Sequence, residues 1–78
     1  MGAEVRVLYF GAAQEATGKS EELLTADNTT TLRTAILEKY PALAGIPFRM
    51  ALNRNLLKGD SLLAENDIIA ILPPFQGG

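Results

Sequence analysis

The residues best equipped for chemistry lie at the end of the chain, Leu72-Pro73-Pro74-Phe75-Gln76-Gly77-Gly78. Side chains offer little else, because the sequence contains neither cysteine nor histidine. That removes the thiolate nucleophile, the zinc-thiolate site and the disulfide framework, together with the commonest general base and metal ligand. An α-carboxyl group ionises with a pKa of about 3.3 to 3.7, so the carboxylate of Gly78 is charged at neutral pH and can attack the α-phosphorus of ATP. The acyl-adenylate so formed is electrophilic. The preceding residues suit the delivery of such a group into another protein. Pro73 and Pro74 fix φ and project the chain from its last strand, while Gly77 and Gly78, lacking a Cβ, pass through a channel too narrow for side chains. Six extended residues reach about 20 Å.

The plainer alternative is a frayed end. At an average glycine usage of about 7%, two terminal glycines coincide in roughly 0.5% of chains, so chance explains the pair poorly. Gly78 is therefore the expected reacting group, and Pro73, Pro74, Phe75, Gln76 and Gly77 the expected recognition segment.

The rest of the composition narrows the function further. A chain of 78 residues, 47% hydrophobic and 21% charged, is an ordinary globular domain with a thin core. Seven basic against nine acidic residues give a net charge of −2 with no basic cluster, which excludes nucleic acid as the expected partner. The longest apolar run, from Ile68 to Pro74, is far short of the roughly 20 residues of a membrane span. A cytoplasmic chain with no membrane contact is expected. The acidic residues show no metal-ligand spacing, and Gly11, Gly18 and Gly59 form no phosphate-binding loop. No metal or cofactor is expected on this chain, and ATP is assigned to an activating partner.

The elements must position the tail. Val5, Val7 and Tyr9 alternate with Arg6, Leu8 and Phe10, which predicts a strand over residues 3–10. Residues 11–18 read as a connection and residues 20–25 as a second strand. Thr31 is the expected cap of a helix over residues 32–39, with Leu32, Ala35, Ile36 and Tyr40 on one face and Pro41 stopping it. A third strand is expected over residues 48–53, a short fourth around Leu56 and Leu57, and a fifth over residues 67–72. Asn66 is the residue most tolerant of a left-handed backbone in the turn before it. Two strands, a helix and further short strands predict an α+β domain over residues 1–72: a mixed sheet of four to five strands packed on one main helix, the last strand parallel to the first. This is the ubiquitin-like β-grasp arrangement. Residues 73–78 then form a flexible tail.

One helix covers one face of a sheet. If Val5, Val7, Ile69 and Ile71 face it, then Leu8, Phe10, Ile68 and Leu72 face away, joined by Leu56 from the short neighbouring strand. These five are the expected partner-docking residues, with Arg6 and Arg49 on the same side as charged rim contacts. The alternative is that residues 11–18 or 41–47 fold over them.

With the terminal motif, the capped helix ending in Tyr40-Pro41-Ala42-Leu43 and the turn from Leu62 to Asp67, the chain resembles the β-grasp sulfur carriers related to ubiquitin. The Pro73-Pro74 pair before Phe75 resembles the small subunit of molybdopterin synthase more than the thiamine-pathway carriers. The resemblance implies a chain that is not catalytic alone. An E1-like adenylyltransferase adenylates its C-terminus, sulfur replaces the adenylate to give a thiocarboxylate, and the carrier docks in the large subunit of molybdopterin synthase. There it gives sulfur to a cyclic pyranopterin in molybdenum cofactor biosynthesis. Sulfur carriage for thiamine or tRNA thiolation, and ubiquitin-like protein modification, are the alternatives.

Overall fold

In the computed structural model, which describes residues 2–74, the first strand alternates as its side chains require. Val5, Val7 and Tyr9 of β1 (Ala3–Tyr9) are buried, while Glu4 and Arg6 are exposed. Burying each large apolar side chain contributes about 1.5–3 kcal/mol, and this fixes which face of the strand turns inward. β2 (Glu21–Ala26) returns antiparallel beside β1, with Val5 opposite Leu24 and Arg6 opposite Leu23. β5 (Ile68–Leu72) lies on the other side of β1 and runs parallel to it, Val7 opposite Ile69 and Tyr9 opposite Ile71. Beyond it come β3 (Arg49–Leu52), antiparallel to β5, and the two-residue β4 (Asn55–Leu56). The order is β2-β1-β5-β3-β4. A parallel pair needs a long crossover, and the segment between β1 and β5 supplies it. The result is a ubiquitin-like β-grasp fold.

One long helix, α2 (Thr29–Lys39), covers one face of this sheet. Leu32 and Ile36 are fully buried with Val5, Val7, Ile69 and Ile71 in a single core cluster. The helix starts earlier than the sequence suggests, and Thr31 is not its cap. Asn28, with extended backbone, is the N-cap, and its Oδ1 accepts the Thr31 N–H at 2.7 Å. A second acceptor arrives from far along the chain: Asp60 Oδ1 accepts the Thr30 N–H at 2.8 Å and the Thr29 hydroxyl at 3.0 Å. These bonds satisfy N–H groups that a helix start leaves unpaired, so the helix begins three residues before the expected start. Pro41 ends the helix as expected, with Tyr40 at its C-cap, and begins a 3-10 helix, Pro41–Gly45, that buries Leu43.

Residues 11–18 are not a plain connection. They contain α1 (Ala12–Thr17), opened by Gly11 and closed by Gly18, whose φ of 73° lets its N–H reach the Gln14 carbonyl. Ala13 joins the core, and α1 packs on the 3-10 helix. Asn53 and Arg54 both have positive φ, which makes the two-residue connection of β3 to β4 a tight hairpin turn. Asn66 takes the left-handed conformation expected of it, with φ 71°. Among the described residues no helix is long and apolar enough to cross a membrane.

A polar cluster ties β1, β2 and α2 together. Tyr9 donates its hydroxyl to Glu22 Oε2 at 2.6 Å, Lys39 Nζ donates to Oε1 at 2.6 Å, and Lys19 Nζ lies 3.6 Å from the same oxygen. The Tyr40 ring meets that of Tyr9 edge-on at 5.9 Å. Burial pushes the Glu22 carboxyl up, but the hydrogen bonds from Lys39 and Tyr9 outweigh it and hold the pKa at about 2, against an ordinary 4.5. Burial, then the hydrogen bond to Glu22, raises the Tyr9 phenol above its ordinary value. A carboxylate with a depressed folded-state pKa adds stability that is present above its unfolded value and lost as pH falls through the folded one. Glu22→Gln is therefore expected to be less stable than the native chain at pH 7, with the gap narrowing between pH 4.5 and 2. Urea midpoints at pH 7, 4.5 and 3 measure this, and parallel profiles for the two proteins would contradict it.

Candidate functional site

Among the described residues, no segment covers the side of the sheet away from α2. The strand registers place Leu8 beside Ala70, Ala70 beside Ala51, and Ala51 beside Leu56, in one row across this face. Arg6 lies beside Ile68 and Arg49 beside Leu72 in the flanking rows. Phe10 is 43% exposed, Ile68 42% and Leu56 45%, so all three keep apolar surface open to solvent. Leu8 and Leu72 are half-buried between them. Leu8, Phe10, Ile68 and Leu72 line one groove of about 460 Å3, together with Ala70, Asn53 and Arg54.

Of the five predicted docking residues, four thus share a groove. Leu56 is on the same face at the sheet edge, separated from Leu8 by the two small alanines, Ala51 and Ala70. Neither connecting segment covers this face. α1 sends Ala13 and the 3-10 helix sends Leu43 into the core on the opposite side. Arg6 and Arg49 are both exposed here, and Arg6 Nε lies 3.9 Å from Glu21 Oε2. At this distance and exposure the pair contributes little, which leaves Arg6 available at the rim.

Sequence reasoning missed Leu23, Ala70, Asn53 and Arg54. Leu23 is 57% exposed and stands opposite Arg6 on the uncovered face, extending the apolar strip to β2. The Leu23-Leu24 pair carried a signal, because successive strand residues face opposite ways and one of two adjacent leucines must point outward. Asn53 is held in place by its own network. Its Oδ1 accepts the Ile68 N–H at 2.9 Å, and its Nδ2 donates to Asp67 Oδ1 at 3.0 Å. Asp67 Oδ2 in turn accepts the Ala64 N–H at 2.8 Å, and this bond first, then that from Asn53, lowers its pKa.

The face runs directly into the root of the tail. β5 ends at Leu72, and the Phe10 N–H bonds the Ile71 carbonyl at 3.1 Å. Gly11 follows with φ 57° and ψ −130°, a conformation that strains any residue with a Cβ. A Cβ built there would lie 3.6 Å from Pro73 Cγ. Pro73 is exposed and Pro74 half-buried. Phe75, Gln76, Gly77 and Gly78, the rest of the predicted recognition segment and the predicted reacting group, lie outside the described residues.

The β-grasp sheet thus leaves one apolar face bare where the chain continues into the Pro-Pro-Phe-Gln-Gly-Gly segment. The model of the ThiS family matches residues 7–78. The chain belongs to the ThiS family. Among its relatives, the molybdopterin synthase sulfur carrier subunit of Caenorhabditis briggsae is 40% identical over 81 aligned residues, covering 95% of this chain and 96% of the relative. The solution structure of small archaeal modifier protein 1 from Methanosarcina acetivorans superposes with a TM-score of 0.86 at 31% identity, covering all of this chain and 99% of that one. A chain from the complex of subunits 1 and 2 of the molybdopterin-converting factor of Helicobacter pylori superposes with a TM-score of 0.71 at 30% identity, covering 96% and 99%.

Proposed function

We propose that this ThiS family member is a sulfur carrier of molybdenum cofactor biosynthesis that works from the carboxylate of Gly78. The observation that carries the reading is the bare apolar face of Leu8, Phe10, Ile68 and Leu72 running into Pro73. A partner seated there holds the start of the tail, and a fully extended 73–78 segment sets the carboxylate about 20 Å away, deep enough for a partner's active site. The relatives named as sulfur carrier subunits of molybdopterin synthase support the pathway. The Helicobacter pylori complex of subunits 1 and 2 supports the large subunit of molybdopterin synthase as the docked partner.

The chemistry runs through two displacements. A carboxylate oxygen of Gly78 attacks the α-phosphorus of ATP in an E1-like adenylyltransferase, and pyrophosphate leaves. A sulfide-level donor then attacks the acyl carbon, AMP leaves, and a thiocarboxylate results. Within the large subunit that sulfur attacks a carbon of a cyclic pyranopterin, the C–O bond at that carbon breaks with the oxygen keeping the electron pair, and a thioester joins the pterin to Gly78. Hydrolysis of the acyl group regenerates the carboxylate. Because the chain has no cysteine, this route supplies nucleophilic sulfur without a side-chain thiol. The cytoplasm, where ATP is available, is the compartment the first step calls for.

The likeness to an archaeal modifier protein favours one second reading, in which a lysine amine of another protein takes the activated carbonyl. Both readings share the adenylate and part at the acceptor. Intact mass measured on the chain purified from its own cell separates them. Sulfur for oxygen adds about 16 Da, whereas conjugation adds the mass of a whole protein. Unmodified chain throughout, in cells actively making the cofactor, would overturn the proposal.

A further inference from the structure

The far edge of the sheet carries a second concave surface with a different character. A groove of about 390 Å3 runs between the start of α2 and β3, its lining including Thr30, Arg33, Phe48, Arg49, Leu57 and Asp60. Its charges are unbalanced. Asp60 is committed to capping α2 through Thr29 and Thr30, and these bonds hold its pKa below the ordinary value. The Arg33 guanidinium stacks 5.2 Å from the centre of the Phe48 ring, an arrangement that orients it while leaving its N–H edge to bond a carboxylate. Neither Arg33 nor Arg49 forms an ion pair among the described residues. The other charged residues of α2, Glu38 and Lys39, are at its opposite end.

The backbone beside these arginines is also open. β4 pairs only with Ala51 and Leu52, and the contact continues no further than the Leu57 N–H bonding the Met50 carbonyl at 3.0 Å. Among the described residues, Phe48 and Arg49 therefore have no strand partner on the side away from β5. An open strand edge accepts an extended peptide through main-chain hydrogen bonds, and flanking side chains select its sequence. In a chain of net charge −2, an unpaired guanidinium such as that of Arg33 beside an open edge selects carboxylates. We infer that this groove binds an extended acidic segment of a protein partner, added along the edge at Phe48 and Arg49 with a carboxylate on Arg33. The inference goes beyond the sulfur-carrier reading: it shares the strand residue Arg49 with the rim of that docking face, but its selecting group is Arg33 and it involves none of Leu8, Phe10, Ile68 or Gly78.

The test is a titration of the nitrogen-15-labelled chain, followed by amide chemical shifts, with the capped peptide Glu-Val-Glu-Val-Glu as probe. Saturating shifts are expected at residues 29–33, 48–50 and 57–60. Arg33→Ala should weaken binding about fivefold, the upper range for an exposed ion pair, while the rest of its spectrum stays native. Arg33→Lys, which keeps the charge but loses the planar fork, should fall between the two. The matching Lys-Val-Lys-Val-Lys peptide should cause no saturating shift. The inference is overturned if the acidic peptide shifts nothing, if the basic peptide shifts the same amides, or if the shifts fall on Leu8, Phe10 and Ile68 instead. It is also overturned if inorganic phosphate alone reproduces the shifts at the same concentration, which would mean a site for small anions.

Discussion

Adding a single alanine after Gly78 is expected to reduce sulfur loading of the chain by at least about a hundredfold while leaving its thermal stability unchanged. The added residue moves the carboxylate by about 3.3 to 3.6 Å along an extended chain. In-line attack on the α-phosphorus needs the reacting atoms within near-contact distance, and a misplacement of 1 Å costs about a hundredfold. Stability should not respond, because the core closes at Ile71 and the last strand ends at Leu72. Deleting Gly78 should act in the same direction, by leaving the carboxylate one residue short. Intact mass after incubation with the activating enzyme, ATP and a sulfur donor gives the loaded fraction. It also shows whether an extended chain has been trimmed. An extended chain that loads without trimming would rule out the Gly78 carboxylate as the working group.

Phe10→Glu is the second change with a large expected effect. Phe10 is 43% exposed on the face away from α2, so in the free protein the glutamate stays in water and the melting temperature should move little. Docking would have to bury that charge against an apolar surface without a partner. A penalty of at least about 1.4 kcal/mol, or tenfold in Kd, is expected in titration calorimetry against the large subunit of molybdopterin synthase. Ile68→Glu should behave alike, being 42% exposed in the same groove. Leu72→Glu is a poorer probe. Arg49 stands opposite Leu72 in the register and can pair with the new carboxylate, which shrinks the penalty. Unchanged affinity in both Phe10→Glu and Ile68→Glu would remove the groove from the interface.

The two predictions differ in what they separate. Extension of the tail leaves docking intact and stops chemistry, whereas a charge in the groove leaves the carboxylate intact and weakens docking. A partner affinity that falls with the extended tail as well would show that Gly78 contributes to holding the complex and not only to the reaction.

Much of the architecture was legible in the sequence because strands impose a period of two on burial. Val5, Val7, Ile69 and Ile71 could be assigned to one face and Leu8, Phe10, Ile68 and Leu72 to the other from alternation alone, and the structure places them so. Pro41 and Asn66 were equally readable, since each acts through its own backbone geometry. The start of α2 was not. Asn28, Thr29, Thr30 and Thr31 are all residue types able to cap a helix, and the choice rests partly on Asp60, some thirty positions later, brought to the helix by the fold. α1 was hidden for a different reason. Six residues are too few to show a helical period, and such a short helix is held by packing Ala13 into the core, a contact no local propensity reveals. The uncovered face divides the same way: the apolar floor of its groove follows from strand alternation, but Asn53 and Arg54 join the groove only because β3 pairs with β5, and Leu23 extends the face only because the β1–β2 register sets it opposite Arg6. Local sequence thus determined which way each strand residue faces, while the neighbours of each residue were decided by register, which long-range pairing alone can set.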